Sequence, residues 1–275
     1  MWQDSFCYLC KTMGIRKHIP NALTCCNLLC GMFAIVAAST GVFLVALLLV
    51  IWAALFDFFD GLAARSLKSY SPIGKDLDSL ADMVSFGVSP AIVGIRYQIY
   101  PISLESEASS DLWLPLLVIG FVSLLFPLFI AVFSALRLAK FNNDTRQRDN
   151  FIGLATPACA ILYISLIAFL WDLVNRPDSG YNVVSHSNIW PWVYWLPVAI
   201  VPVLCWLLVS EIPMFSMKFR NLSWQDNKVR YIFLLIAVVE IVMTIIGGFP
   251  FAGCLCAIIL TYIVLNFLML AFRRK

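Results

Sequence analysis

Residues 42–82 read VFLVALLLVIWAALFDFFDGLAARSLKSYSPIGKDLDSLAD. The first fifteen are apolar enough to sit in a lipid bilayer. The remainder carries five aspartates, one arginine and two glycines. A chain that places Asp57, Asp60, Asp76, Asp78 and Asp82 at the end of a greasy run is building something there, or is turning round in water.

The rest of the chain fits the apolar half. Of 275 residues, 61% are hydrophobic and 13% charged, where soluble domains carry roughly a quarter charged residues. The fold class that follows is an all-α polytopic membrane protein. A bilayer core takes about 20 apolar residues per helix, which yields eight spans: 21–39, 42–65, 76–96, 112–137, 152–173, 190–213, 231–248 and 251–271. Pro127 is expected to kink the fourth, because it removes a backbone donor. The seventh and eighth form a tight hairpin through GGFPFAG.

Basic residues orient the map. With both termini cytoplasmic, the inner segments collect 17 of the 19 lysines and arginines, leaving Arg96 and Arg176 outside. That topology puts the aspartate segment at the cytoplasmic face. Residues 1–18 read as a cytoplasmic lead-in without an apolar signal region. Cys7 and Cys10 form half a zinc site at best, and most other cysteines lie in apolar runs as small hydrophobes.

On a helix at 100° per residue, Asp57, Asp60, Gly61, Ala64 and Arg65 share one stripe, while Phe58, Phe59 and Leu62 face away. After the break at SYSPIG, Asp78 and Asp82 are one turn apart, and Ser85 and Ser89 continue their face. Two helices thus aim four carboxylates at one space. Crowded carboxylates near a membrane cost on the order of 10 kcal/mol together. A divalent cation relieves that cost, and aspartate oxygens suit Mg²⁺, Mn²⁺ or Ca²⁺. Arg65 offers a fork that matches phosphate oxygens. Carboxylates, metal and an arginine are the parts of a phosphoryl-transfer site. Asp76 lies off the stripe and reads as a solvated residue near a helix start.

The pattern D-x-x-D-G-x-x-A-R, eight residues, G-x-x-x-D-x-x-x-D is complete between Asp57 and Asp82. It resembles the signature of the CDP-alcohol phosphotransferase family, membrane enzymes of phospholipid synthesis. IPNALTCCNLLCG (19–31), DSLADMVSFGVSPA (78–91), ALRLAKFN (135–142), FIGLATPA (151–158) and SEIPMFSMK (210–218) resemble the branch that joins CDP-diacylglycerol to serine. The resemblance implies a catalytic core over 19–218, followed by a two-helix hairpin over 219–275. It implies that Asp57, Asp60, Asp78 and Asp82 hold Mg²⁺ or Mn²⁺, with Asp82 also the general base. It implies that Gly61, Arg65, Ser71, Asn21 and Thr24 bind the CDP-lipid, although Asn21 and Thr24 equally suit helix capping. The expected reaction transfers the phosphatidyl group to the hydroxyl of L-serine, releasing CMP, in a homodimer of the inner membrane.

Serine brings a carboxylate, for which Arg137 and then Lys140 are candidates; both also suit anchoring at the cytoplasmic face. Glu240 in the seventh span reads as a packing residue or a functional acid. His18 and His186 read as loop residues. Sister enzymes using glycerol 3-phosphate or inositol phosphate, a cation transporter with intramembrane aspartates, and an aspartate-rich prenyltransferase are the competing readings.

Overall fold

The computed structural model describes residues 18–69, 71–105, 113–143, 151–175, 190–215 and 223–273. The lead-in with Cys7 and Cys10, the segments holding Arg176 and His186, residues 216–222 and the last two residues lie outside that set, so the position of the termini does too.

The chain is helical, as its composition requires. The helices are α1 (His18–Ser39), α2 (Phe43–Ser66), α3 (Pro72–Asp82), α4 (Ser89–Glu105), α5 (Trp113–Asn143), α6 (Thr156–Asn175), α7 (Trp190–Val209), α8 (Trp224–Gly247) and α9 (Phe251–Arg273). Among the described residues seven helical stretches are long and apolar enough to cross a membrane, and Val193–Val209 is a shorter apolar helix. The protein is an integral membrane protein.

The expected third span is longer and less regular than its sequence suggests. It begins at Pro72 and runs to Glu105, interrupted at Met83–Val88 by a π-helical turn. There the Ser89 N–H reaches back to the Val84 carbonyl. Pro90 follows directly and has no N–H to give, so the ordinary i→i−4 ladder is already broken at this point. The expected seventh span, α8, also starts earlier than its apolar run, at Trp224, with a non-helical Asn227 near its beginning.

Core packing centres on α6. It buries Cys159, Ala160, Leu162, Tyr163, Ile164 and Ile167 against α2, α4, α7 and α9. Helix α4 approaches closely because Gly94 has no side chain: a Cβ there would lie 2.8 Å from Pro127 of α5. Helix α1 packs along the whole of α2 and reaches α3, the π-turn and α4. Ahead of α6, Phe151–Ile152 pairs antiparallel with Pro213–Met214. Gly153 closes this bridge at φ +74°, with a would-be Cβ 2.8 Å from the Ser210 carbonyl, a conformation and a closeness that favour glycine. The stretches FIGLATPA and SEIPMFSMK, 50 residues apart in sequence, therefore meet in space.

Candidate active site

The helices α1, α2 and α3 converge on the aspartates. Ser71 starts α3 as its N-cap, accepting from the Gly74 N–H at 3.0 Å, with Pro72 at the first helical position, where a missing N–H costs nothing. This turns the chain sharply after α2 and brings Asp78 back beside Asp57 and Asp60. One carboxylate oxygen from each of these three lies within 4.8 Å of the others.

On α2 the amphipathic reading holds. Phe58, Phe59 and Leu62 are exposed, and Asp60 is buried. Asp82 stands one turn beyond Asp78 and is 9% exposed. It lies within electrostatic reach of all three other acids but outside their tight group.

Helix α1 supplies the polar partners. Thr24 donates to Asp60 Oδ2 at 2.6 Å and to the Pro20 carbonyl at 3.1 Å. Asn27 Nδ2 donates to Asp82 Oδ1 at 3.0 Å. Because α1 begins at His18, Asn21 and Thr24 sit inside the helix, and neither caps it. His18 is the first residue of that helix, not a loop residue.

A cavity of about 730 Å³ opens beside the acids. Its lining includes Asn21, Thr24, Gly61, Arg65 and Ser71, together with Asp60 and Asp78. The five positions singled out in sequence for a CDP-lipid thus share one wall. No heavy atom comes within 4 Å of where a Gly61 Cβ would project, so the cavity keeps its width there. Lys75, unremarked in the sequence, also lines it and donates to the Asn142 carbonyl at 3.2 Å. Asn142 in turn donates to Ser79 at 2.8 Å. The end of α5 is thereby clasped to α3.

Arg137 lies on α5 behind this clasp. It is 7% exposed, donates to Thr156 Oγ1 at 3.3 Å and lies within electrostatic reach of Asp82. Its guanidinium stands 5.8 Å over the ring of Phe141, itself part of the cavity wall. Its Nε is buried and unpartnered. Lys140, one turn further, is exposed and ion-paired with Glu211 at 3.3 Å.

The acids fit a hard divalent cation. Their donors are all carboxylate oxygens, Asp78 Oδ1 is buried without a hydrogen bond, and among the described residues no basic side chain is ion-paired with the group. Such a set is costly when bare and matched to a metal.

Comparison with known proteins gives the family. The family model for CDP-alcohol phosphatidyltransferase matches residues 17–203. A CDP-diacylglycerol–serine O-phosphatidyltransferase of Helicobacter pylori (strain J99) is 30% identical over 238 residues, covering 80% of this chain and 93% of that protein. The protein of the same name from Bacillus subtilis (strain 168) is 31% identical over 63% of this chain and 89% of its own length. An archaetidylserine synthase of Methanothermobacter thermautotrophicus is 31% identical over 62% of this chain and 65% of its own. The matched span contains α1 through most of α7, with the four aspartates, the cavity and Arg137 inside it, and the chain belongs to the CDP-alcohol phosphatidyltransferase family.

Proposed function

We propose that this protein transfers the phosphatidyl group of CDP-diacylglycerol to the hydroxyl of L-serine, giving phosphatidylserine and CMP. The observation that carries the reading is the convergence of Asp57, Asp60 and Asp78 beside a cavity that also holds Arg65. The names of the relatives favour serine as the acceptor.

The cavity takes the cytidine diphosphate part of the lipid, with Arg65 donating to phosphate oxygens and Gly61 leaving room for them. Asn21 and Ser71 offer polar edges to the nucleotide. Divalent cations, Mg²⁺ or Mn²⁺, held by Asp57, Asp60 and Asp78 with Asp82 in support, would neutralise the diphosphate and fix its alignment. Asp82 takes the proton from the serine hydroxyl. The oxygen so exposed forms a bond to the lipid-side phosphorus, and the bond from that phosphorus to the CMP oxygen breaks, its electron pair leaving with CMP. Arg137, buried, with a free N–H and in reach of Asp82, fits the serine carboxylate. Lys140, ion-paired with Glu211, would have a secondary part in holding it.

The reading includes a catalytic core over 19–218 with a C-terminal hairpin over 219–275. It also includes a site at the cytoplasmic face of the inner membrane, where serine and CMP are exchanged with water, and a homodimeric assembly.

The test is CMP release by the purified protein. Labelled serine, glycerol 3-phosphate and inositol phosphate are offered in turn with CDP-diacylglycerol and Mn²⁺ or Mg²⁺. Serine alone should be incorporated into lipid. Incorporation of a rival without serine would end the serine assignment and leave the family chemistry standing.

A further inference from the structure

Asn27 lies midway along an apolar helix and is fully buried. Its side-chain amide donates to Asp82 Oδ1 at 3.0 Å. Its main-chain carbonyl accepts from Ser85 Oγ, also at 3.0 Å, using the second lone pair that a helical carbonyl leaves free. One turn along α1, Gly31 faces the same residue: a Cβ there would stand 2.7 Å from the Ser85 Cα. Helix α1 therefore grips the junction between α3 and the π-turn twice, by the Asp82 side chain and by the Ser85 hydroxyl against bare backbone.

The other end of the Asn27 amide is stranded. Its Oδ1 is buried and has no hydrogen-bond partner. An apolar side chain of similar volume would fill the same space and spare the stranded Oδ1 but leave Asp82 Oδ1 without its donor, so what the asparagine serves is that carboxylate and not the packing around it. What the amide supplies is a neutral donor. A lysine or arginine in its place would bring a long, charged side chain into a fully buried position, where the short amide fits. The amide orients the carboxylate and leaves its charge, and its second oxygen, for other work.

We infer that Asn27 is a positioning residue: it ties Asp82 Oδ1 so that the opposite oxygen of the carboxylate meets the acceptor hydroxyl. This rests on Asp82 as the base in the reading above. Ser85 and Gly31 belong to the same device, holding the turn against α1 while the amide sets the carboxylate's rotation. Nothing in the spacing of the aspartate signature assigns a role to any of the three.

The experiment compares the native protein with Asn27→Leu, which removes the donor, and Asn27→Asp, which keeps the shape and sets an acid in place of the amide against Asp82. Three quantities are read: CMP release at varied CDP-diacylglycerol, thermal unfolding in Mn²⁺, and Mn²⁺ binding by electron paramagnetic resonance. Both variants should lose at least tenfold in kcat with KM for the lipid within threefold. Mn²⁺ binding should stay within fivefold of native, and Asn27→Leu should unfold within a few degrees of the native protein. Turnover within threefold of native in either variant would overturn the inference. So would loss of Mn²⁺ binding or a large fall in unfolding temperature in step with activity, since that is the mark of a merely structural residue. The acceptor panel separates the two readings. If the native protein prefers another acceptor, the serine assignment falls, and the same comparison is read with that acceptor. A native protein that releases CMP with none of them would overturn both.

Discussion

Among the described residues, two of the places that put acids among apolar helices are built on opposite plans. Between α1, α2 and α3, three carboxylates crowd within 4.8 Å of one another, beside an open cavity. In the apolar part of the α8–α9 hairpin, Glu240 accepts from Thr261 across the helix pair at 2.6 Å, and its neighbour Thr244 donates to the Glu240 main-chain carbonyl at 2.7 Å. The first arrangement multiplies like charge and leaves space next to it. The second isolates one group, answers its Oε1 with a hydroxyl from the adjoining helix and leaves Oε2 buried without a hydrogen bond. Burden and room together mark a site for a charged ligand, whereas a lone acid with a local partner marks a helix contact.

The contrast can be broken at its strong end first. Asp82→Asn keeps the shape and the Asn27 contact but removes the base, and CMP release should fall by about 10²–10⁴-fold, with the protein still folded by gel filtration. Near-normal turnover would remove Asp82 from the chemistry. Next, a chelator should take the native enzyme to background, and added Mn²⁺ or Mg²⁺ should restore it. A folded protein indifferent to chelation would leave the three-carboxylate group without a purpose. Arg65→Lys retains the charge and loses the fork, so the KM for CDP-diacylglycerol should rise roughly tenfold, about 1.4 kcal/mol, in a titration at saturating serine. Gly31→Val tests the packing behind the acids: the added methyl groups have no room against Ser85, and unfolding should show a loss of about 1–3 kcal/mol. At the weak end, Glu240→Gln should leave turnover within about twofold, and Thr261→Ala should cost about 0.6 kcal/mol of stability. A collapse of activity in Glu240→Gln would erase the distinction between the two regions.

Much of this was readable in the chain. The apolar runs gave the helices, because each had to satisfy its own backbone in lipid. The stripe of Asp57, Asp60, Gly61 and Arg65 gave the inward face of α2, because helical periodicity fixes which side chains share a face. Other features left no local mark. The π-turn at Met83–Val88 packs against both α1 and α5, contacts distant in sequence, and MVSFGV itself carries no signal for it beyond the proline that follows. The pairing of 151–152 with 213–214 joins stretches whose resemblance was visible but whose contact was not. Asn27 carries no local mark either, since one asparagine on an apolar helix looks like any other buried polar residue. Its spacing was a usable clue: Thr24, Asn27 and Gly31 fall on one face of α1, the face that the structure turns toward the acids.

That face has a consequence for how the acids are spaced. Thr24 holds Asp60 of α2 and Asn27 holds Asp82 of α3. These two anchors are three residues apart on one helix, about 4.5 Å of axial rise. The depth difference between the two acids is therefore gauged by the pitch of a third helix, which acts as a ruler. The loop over 67–71 that joins α2 to α3 does not have to set it. Evolution can lengthen or recolour that loop to suit a different nucleotide edge while the ruler keeps the carboxylates in step, but a single residue inserted between Thr24 and Asn27 would swing one anchor about 100° away and put the two acids out of register at once.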